Sequence, residues 1–302
     1  MSLLQDFDRR AEDVDGVSIN YFTGGAGTPV VLLHGYPQSA SIWHRIAPRL
    51  AASHQLLMPD LRGYGDSDKP DASDGDRSIY CKRTSANDVI RIADRLNIAA
   101  FHIVGHDRGA RVAHRLALDH PDRVLSLTSL DVVPTLAAFE NMDADLSYAW
   151  FHVHLMRQPY PLPETLIGQS ADYWFDYVMD RWCATAGAIT PDALALYKRQ
   201  NCNPRAIHAA CADYRSMVLD LEHDARDRGR KLDCPVLVLW GTNTAKVPGW
   251  QTGKKLDMLT VWRERAGSVT AKPLDCGHFI PEEKPEELLA ALVDFFRQVE
   301  DA

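Results

Sequence analysis

Short apolar runs alternate with longer stretches in which apolar positions recur every three or four residues. Runs at 29–34 (Pro-Val-Val-Leu-Leu-His), 55–59, 101–105, 124–130 (Val-Leu-Ser-Leu-Thr-Ser-Leu) and 235–240 (Pro-Val-Leu-Val-Leu-Trp) are bounded by turn signals and read as strands buried on both faces. Between them the spacing predicts helices over 85–96 and 108–119, the second closed by His120-Pro121. Strand and helix alternating in this way predict a mostly parallel, doubly wound sheet. The alternation stops after Asp131. Residues 135–228 are rich in Tyr, Trp, Met and His, with helical spacing, proline interruptions and no clear strand, and Leu232-Asp233-Cys234-Pro235 resumes the strand pattern. The expected organisation is a core (1–134), an inserted helical cap (135–228) and the rest of the core (229–302). A final helix from Pro285 to Val299 carries Leu288, Leu289, Leu292, Phe295 and Phe296 on one face, which suits packing on the sheet.

Composition narrows the class. A chain of 302 residues, 46% hydrophobic, is long enough for one large α/β domain with an insertion. Its six cysteines show no CxxC pair or zinc-ligand spacing, so no structural metal and no cofactor are expected, and the thiols suit a reducing compartment. The N-terminal residues lack a signal-peptide pattern, and no apolar run approaches the roughly 20 residues that span a bilayer. A cytoplasmic protein with no membrane contact is expected. A net charge of −8 without a basic block argues against nucleic acid as a partner. It also disfavours anionic small molecules at long range, so an anionic substrate needs cations placed locally, inside the roughly 8 Å over which salt screens.

The candidate chemistry begins at Gly105-His106-Asp107-Arg108-Gly109-Ala110-Arg111. Asp107 falls on a predicted strand-to-helix turn, the position of a nucleophile elbow, with flanking glycines where a side chain would crowd the reversing backbone. His34-Gly35-Tyr36-Pro37 follows a buried strand; the N–H groups of Tyr36 and Arg108 are candidate oxyanion donors. Asp131 ends another strand and His278 lies just before the final helix. The chain order nucleophile, carboxylate, histidine is that of α/β-hydrolase triads. Arg111, one helical turn after Asp107, and the adjacent Arg108 read either as a clamp for a substrate carboxylate or as structural ion pairs.

These segments, together with Pro59-Asp60-Leu61-Arg62-Gly63-Tyr64-Gly65-Asp66-Ser67, resemble α/β-hydrolases with an aspartate nucleophile: haloalkane dehalogenases, epoxide hydrolases and haloacetate dehalogenases. The elbow most resembles the haloacetate (fluoroacetate) dehalogenases. That resemblance implies Asp107 as nucleophile, Arg108 and Arg111 as carboxylate clamp, Asp131 as acid partner and His278 as base. It also implies His152 and Tyr214 as halide ligands, and a homodimer as a common assembly. The acid helps to discriminate, because many epoxide hydrolases place it one strand later, and here that loop, 240–246, holds no carboxylate. The family expects a tryptophan after the halide-binding histidine, whereas this chain has Val153; Trp150 and Trp182 are the pocket candidates that can replace its N–H.

The chemistry expected is hydrolysis of small 2-haloacids, haloacetate to glycolate plus halide, through an aspartyl ester. Chloride or bromide should leave more readily than fluoride because of Val153, and Val153→Trp is expected to raise defluorination. An epoxide hydrolase using Tyr148, Tyr173, Tyr177 or Tyr214 as proton donors, and a ligand-sensing member of the fold without turnover, are the alternatives.

Overall fold

A computed structural model describes residues 2–243 and 257–302. Eight strands form one sheet: β1 (Asp8–Val14), β2 (Val17–Gly24), β3 (Thr28–Leu33), β4 (His54–Pro59), β5 (Phe101–His106), β6 (Val124–Leu130), β7 (Val236–Gly241) and β8 (Val269–Leu274). Their order is β1-β2-β4-β3-β5-β6-β7-β8, antiparallel at β1/β2 and β2/β4 and parallel elsewhere. Around it lie α1 (Ala47–Leu50), α2 (Lys82–Arg95), α3 (Arg108–Asp119) and, between β6 and β7, an insertion of eight helices. These are α4 (Thr135–Glu140), α5 (Ala144–Ala149), α6 (Phe151–Met156), α7 (Leu162–Gly168), α8 (Ala171–Trp182), α9 (Pro191–Asn201), α10 (Pro204–Arg215) and α11 (Met217–Arg226). The chain closes with α12 (Met258–Arg265), α13 (Ile280–Glu283) and α14 (Pro285–Glu300).

Side-chain alternation explains why the central strands read as unbroken apolar runs. Val31 and Leu33 of β3 pack with Val89, Val112 and Leu116 of α2 and α3, whereas Val30 and Leu32 pack with Leu288, Leu292 and Phe296 of α14. Three strands escape that pattern. β1 is mostly exposed and charged, as befits a sheet edge; β2 pairs antiparallel to it; and β8, on the opposite edge, alternates half-buried with exposed residues. Helix α2 starts at Lys82, three residues before the expected Ser85, because the Lys82 N–H donates to Asp220 Oδ1 (2.7 Å) on α11. That tertiary bond satisfies an N-terminal donor that no local cap reaches.

The topology places the site. After β3 the chain adds β4 on one side and β5 on the other, which opens a crevice beyond the carboxyl ends of β3 and β5. At the elbow, a Cβ on Gly105 would lie 2.4 Å from Ala110 Cα, and one on Gly109 2.4 Å from His34 O. No helix of the described residues is long and apolar enough to cross a membrane.

Candidate functional site

Asp107 is the residue between β5 and α3 and adopts φ +50° and ψ −118°. A non-glycine residue there is strained, and such strain persists only where the surroundings over-determine it. The surroundings are the Asp107 N–H donating to Leu130 O (3.2 Å) and the Tyr36 N–H donating to Asp107 Oδ1 (3.0 Å). One carboxylate oxygen is thus held by a backbone donor after β3, while Oδ2 faces His278 Nε2 at 3.9 Å. That gap is longer than a hydrogen bond.

Asp131, also at positive φ (+60°), directly follows β6. Its Oδ1 accepts from the Gly241 N–H (2.9 Å) and its Oδ2 from His278 Nδ1 (2.6 Å). This arrangement puts the imidazole proton on Nδ1 and turns Nε2 toward Asp107. His106 packs against His278: the rings are 4.6 Å apart, and His106 Nε2 donates to His278 O (2.8 Å). Burial pulls His278 down, but the hydrogen bond and charge of Asp131, then the charges of Asp107 and Glu283, carry it above the ordinary histidine value. Burial pushes Asp107 up; His278, His106, Arg111 and Arg108 outweigh it and hold the carboxyl below its usual value.

The two arginines have different surroundings. Arg108 donates from Nε and Nη2 to the carboxylate of Asp213 and lies with its guanidinium carbon 4.3 Å over the Tyr214 ring. Its expected part in a clamp is therefore reduced to Nη1, a buried atom with no hydrogen-bond partner. Asp213 also receives Lys82 Nζ (2.5 Å) and the Tyr64 hydroxyl (2.6 Å). Two cations thus share the Asp213 carboxylate, and Asp220 also faces Lys82. Arg111 forms no ion pair among the described residues; its Nε is buried without a hydrogen-bond partner, and its guanidinium carbon lies 5.5 Å from the Trp150 ring centre. Asp213 escaped sequence reading because 105 residues separate it from Arg108.

Asp107, Arg108, Arg111, Asp131, Trp150, His152, Val153, Trp182, Tyr214 and His278 line one cavity of about 30 Å³. Every expected triad, clamp, halide and pocket residue lies on it, and Tyr36, the expected oxyanion donor, reaches Asp107 through its N–H. Burial lowers His152 to about 3 and raises Tyr214 far above the usual phenol value, so both are neutral donors at physiological pH. Of the four cap tyrosines weighed as proton donors, Tyr214 alone lines the cavity. Tyr148, Tyr173 and Tyr177 are 62%, 72% and 38% exposed. In the loop after β7, Thr242 and Asn243 bond to Leu274 O and Cys276 O; Thr244, Ala245 and Lys246 lie outside the described residues. A much larger open groove, about 940 Å³, lies between 68–73 and helices α7 and α10. It does not touch Asp107, but Ala171, Cys202 and Ile207 line both it and a small inner cavity that ends on Tyr36.

Among the described residues, one group has metal-ligand chemistry: Cys81, Asp220 and His223, with ligand atoms within 4.8 Å of one another. It joins α11 to the start of α2, a proximity that cysteine spacing does not reveal. It lies off the cavity of Asp107, and Arg83, Arg115 and Arg226 act on His223 against a second positive charge.

The family model for the alpha/beta hydrolase fold matches residues 28–285. The chain is 39% identical over 295 residues to the fluoroacetate dehalogenase of a Burkholderia species, covering 97% of this chain and 95% of that protein. It is 30% identical over 288 residues to the soluble epoxide hydrolase of Corynebacterium sp. strain C12, covering 94% and 95%. Among solved structures, ALR0039 of Nostoc sp PCC 7120 superposes with a TM-score of 0.91 at 45% identity, over 96% of this chain and 98% of that one.

Proposed function

Because the chain belongs to the α/β-hydrolases, in the group that holds the haloacetate dehalogenases and epoxide hydrolases, we propose that it hydrolyses small 2-haloacids through an ester on Asp107. One observation carries the choice of substrate: Arg108 Nη1 and Arg111 Nε, buried and without hydrogen-bond partners, belong to residues lining the same small cavity as Asp107. Unpaired guanidinium donors in a closed cavity call for an anion, and a carboxylate matches their geometry. A neutral substrate leaves them unsatisfied.

In this reading Asp107 Oδ2 attacks Cα from behind, and the C–X bond electrons leave with the halide. The product is an ester whose carbonyl oxygen is Oδ1, already on the Tyr36 N–H. His152 and Tyr214 donate to the departing halide as neutral groups. Water then adds to Asp107 Cγ while His278 Nε2, aimed by Asp131, takes its proton. Negative charge builds on Oδ1 and is met by Tyr36, with the Arg108 N–H as the second donor. Collapse breaks the ester bond, the proton on His278 goes to the departing alkoxide to give glycolate, and the Asp107 carboxyl left behind, held below its usual value, releases the second proton of the water to solvent and is a carboxylate again. Val153 contributes no N–H, so chloride is the better leaving group here. We assign the cap to residues 135–228.

Epoxide hydrolysis is the second reading, favoured by the His152 and Tyr214 rings 5.8 Å apart, which form a neutral donor pair suited to an opening epoxide oxygen. It shares Asp107, His278 and Asp131. The test offers the purified protein chloroacetate, fluoroacetate and styrene oxide, reading halide and diol, with Asp107→Ala as the control. Halide release that the control loses supports the haloacid; diol alone moves epoxide hydrolysis to first place. In His278→Ala an ester should accumulate on the Asp107 peptide, and its absence with all three compounds would return the ligand-sensing reading.

A further inference from the structure

We propose that Glu283 is a positioning residue that locks His278 to the cap helix carrying Trp182, so that base and cap move as one body. The proposal rests on His278 being the base of the reading above. Glu283 ends α13, is 6% exposed and accepts four backbone hydrogen bonds. Two come from the histidine loop: Gly277 N–H to Oε2 (2.9 Å) and Phe279 N–H to Oε1 (3.0 Å). The other two, Ala184 N–H (3.0 Å) and Thr185 N–H (2.9 Å) to Oε2, come from the segment that follows α8, almost a hundred residues away.

Local capping explains the first pair and not the second. One carboxylate bridges the residues on either side of His278 and the end of the cap helix. The His278 N–H adds a fifth strand to this link, donating to Trp182 O (2.9 Å), and the Trp182 ring stands edge-on to the imidazole at 5.4 Å. The contact is close enough to require Gly277, where a Cβ would lie 2.5 Å from Trp182 O and 2.6 Å from Ala184 N. Among the described residues no lysine or arginine pairs with Glu283, so backbone dipoles alone hold its charge. Only a carboxylate offers acceptors on both oxygens; an amide presents N–H groups to N–H groups on one side.

The same charge faces the base. His278 is surrounded by Asp131 after β6, Asp107 and His106 from the end of β5, His152 from the cap and Glu283 from α13; the three carboxylates raise it against burial, whereas His106 and His152 are themselves held down to about 3 by burial and by His278 and stay neutral.

The test compares wild type, Glu283→Gln and Glu283→Asp. Two readouts need no substrate: amide exchange at 182–185 and 277–279, and the imidazole titration of His278 by NMR. In Glu283→Gln both segments should lose protection together and His278 should titrate at lower pH. In Glu283→Asp, which keeps the charge but shortens the reach, the cap segment should lose protection while the titration stays near wild type. With a substrate that wild type turns over, the first-step burst should survive in Glu283→Gln while ester hydrolysis slows roughly 10- to 100-fold, as expected for a misplaced base. Should Glu283→Gln fail to fold, Glu283→Asp decides on the exchange pattern. Wild-type exchange and wild-type titration in the variants overturn the latch. Coupled exchange loss in a protein that turns over neither substrate class overturns the proposed function and leaves the latch standing.

Discussion

Replacing Arg111 separates a substrate clamp from a structural cation. Arg111 is 7% exposed, has no ion pair among the described residues and stacks near Trp150. Arg111→Met keeps most of the apolar stem and removes the charge. A charge-assisted hydrogen bond contributes about 1.5–3 kcal/mol, so one lost guanidinium contact should lower kcat/KM for chloroacetate roughly 10- to 150-fold. Arg111→Lys keeps the charge without the planar fork and should fall between. The fold should not suffer. A buried arginine without a carboxylate partner carries a desolvation cost that methionine relieves, so urea denaturation should give equal or higher stability. Asp107 loses one of the charges that hold it below its usual value. Its carboxyl should therefore titrate higher, and the alkylation step should weaken first at acid pH. The assay is chloride release over a pH series, paired with styrene oxide as a neutral substrate. A loss of the same size on both substrates, or none on chloroacetate, refutes the clamp.

Three further outcomes follow from the geometry. Asp131→Asn removes the hydrogen bond and charge that raise His278; since the base acts as neutral imidazole, the acid limb of ester hydrolysis should move to lower pH while the maximal rate falls, and an unmoved limb contradicts the pairing. Asp213→Asn strips Arg108 and Lys82 of their shared counter-ion and should cost about 3–5 kcal/mol by urea denaturation; a loss below about 1 kcal/mol, the range of a surface pair, would show that the site relaxes. Val153→Trp changes meaning once the cavity is known. With about 30 Å³ between Trp150, Trp182 and Val153, an added indole overfills the site at a cost of about 1–3 kcal/mol, so chloride release should fall; a rise in fluoride release would show that Trp182 yields and that the donor outweighs the lost space.

What was legible in the chain was whatever depends on neighbours in sequence. The elbow and the strand end at Asp131 declare themselves because a buried parallel strand is an apolar run and its site residue comes immediately after it, whereas His278 stands out by its place just before the final helix and by the chain order nucleophile, carboxylate, histidine. The edge strands β1 and β8 do not, because an edge strand with one face in water carries too many polar residues to stand out. The start of α2 was missed for a different reason: its cap is Asp220, 138 residues away.

Pairings across the fold were illegible for the same reason, and they change the functional argument. Arg108 looked like half of a clamp, yet it spends two donors on Asp213 and its face on Tyr214. Glu283 carries no signal in the sequence, yet it bonds to the segment after α8. In both cases a residue within six positions of the triad joins it to the cap: Arg108 through Asp213 and Tyr214 on α10, and Glu283 through Ala184 and Thr185 after α8. In the proposed reaction the core supplies the reacting atoms, and these buried charges tie the cap to them. Cap substitutions that disturb Asp213 or the 182–185 segment should therefore alter the chemical steps as well as binding.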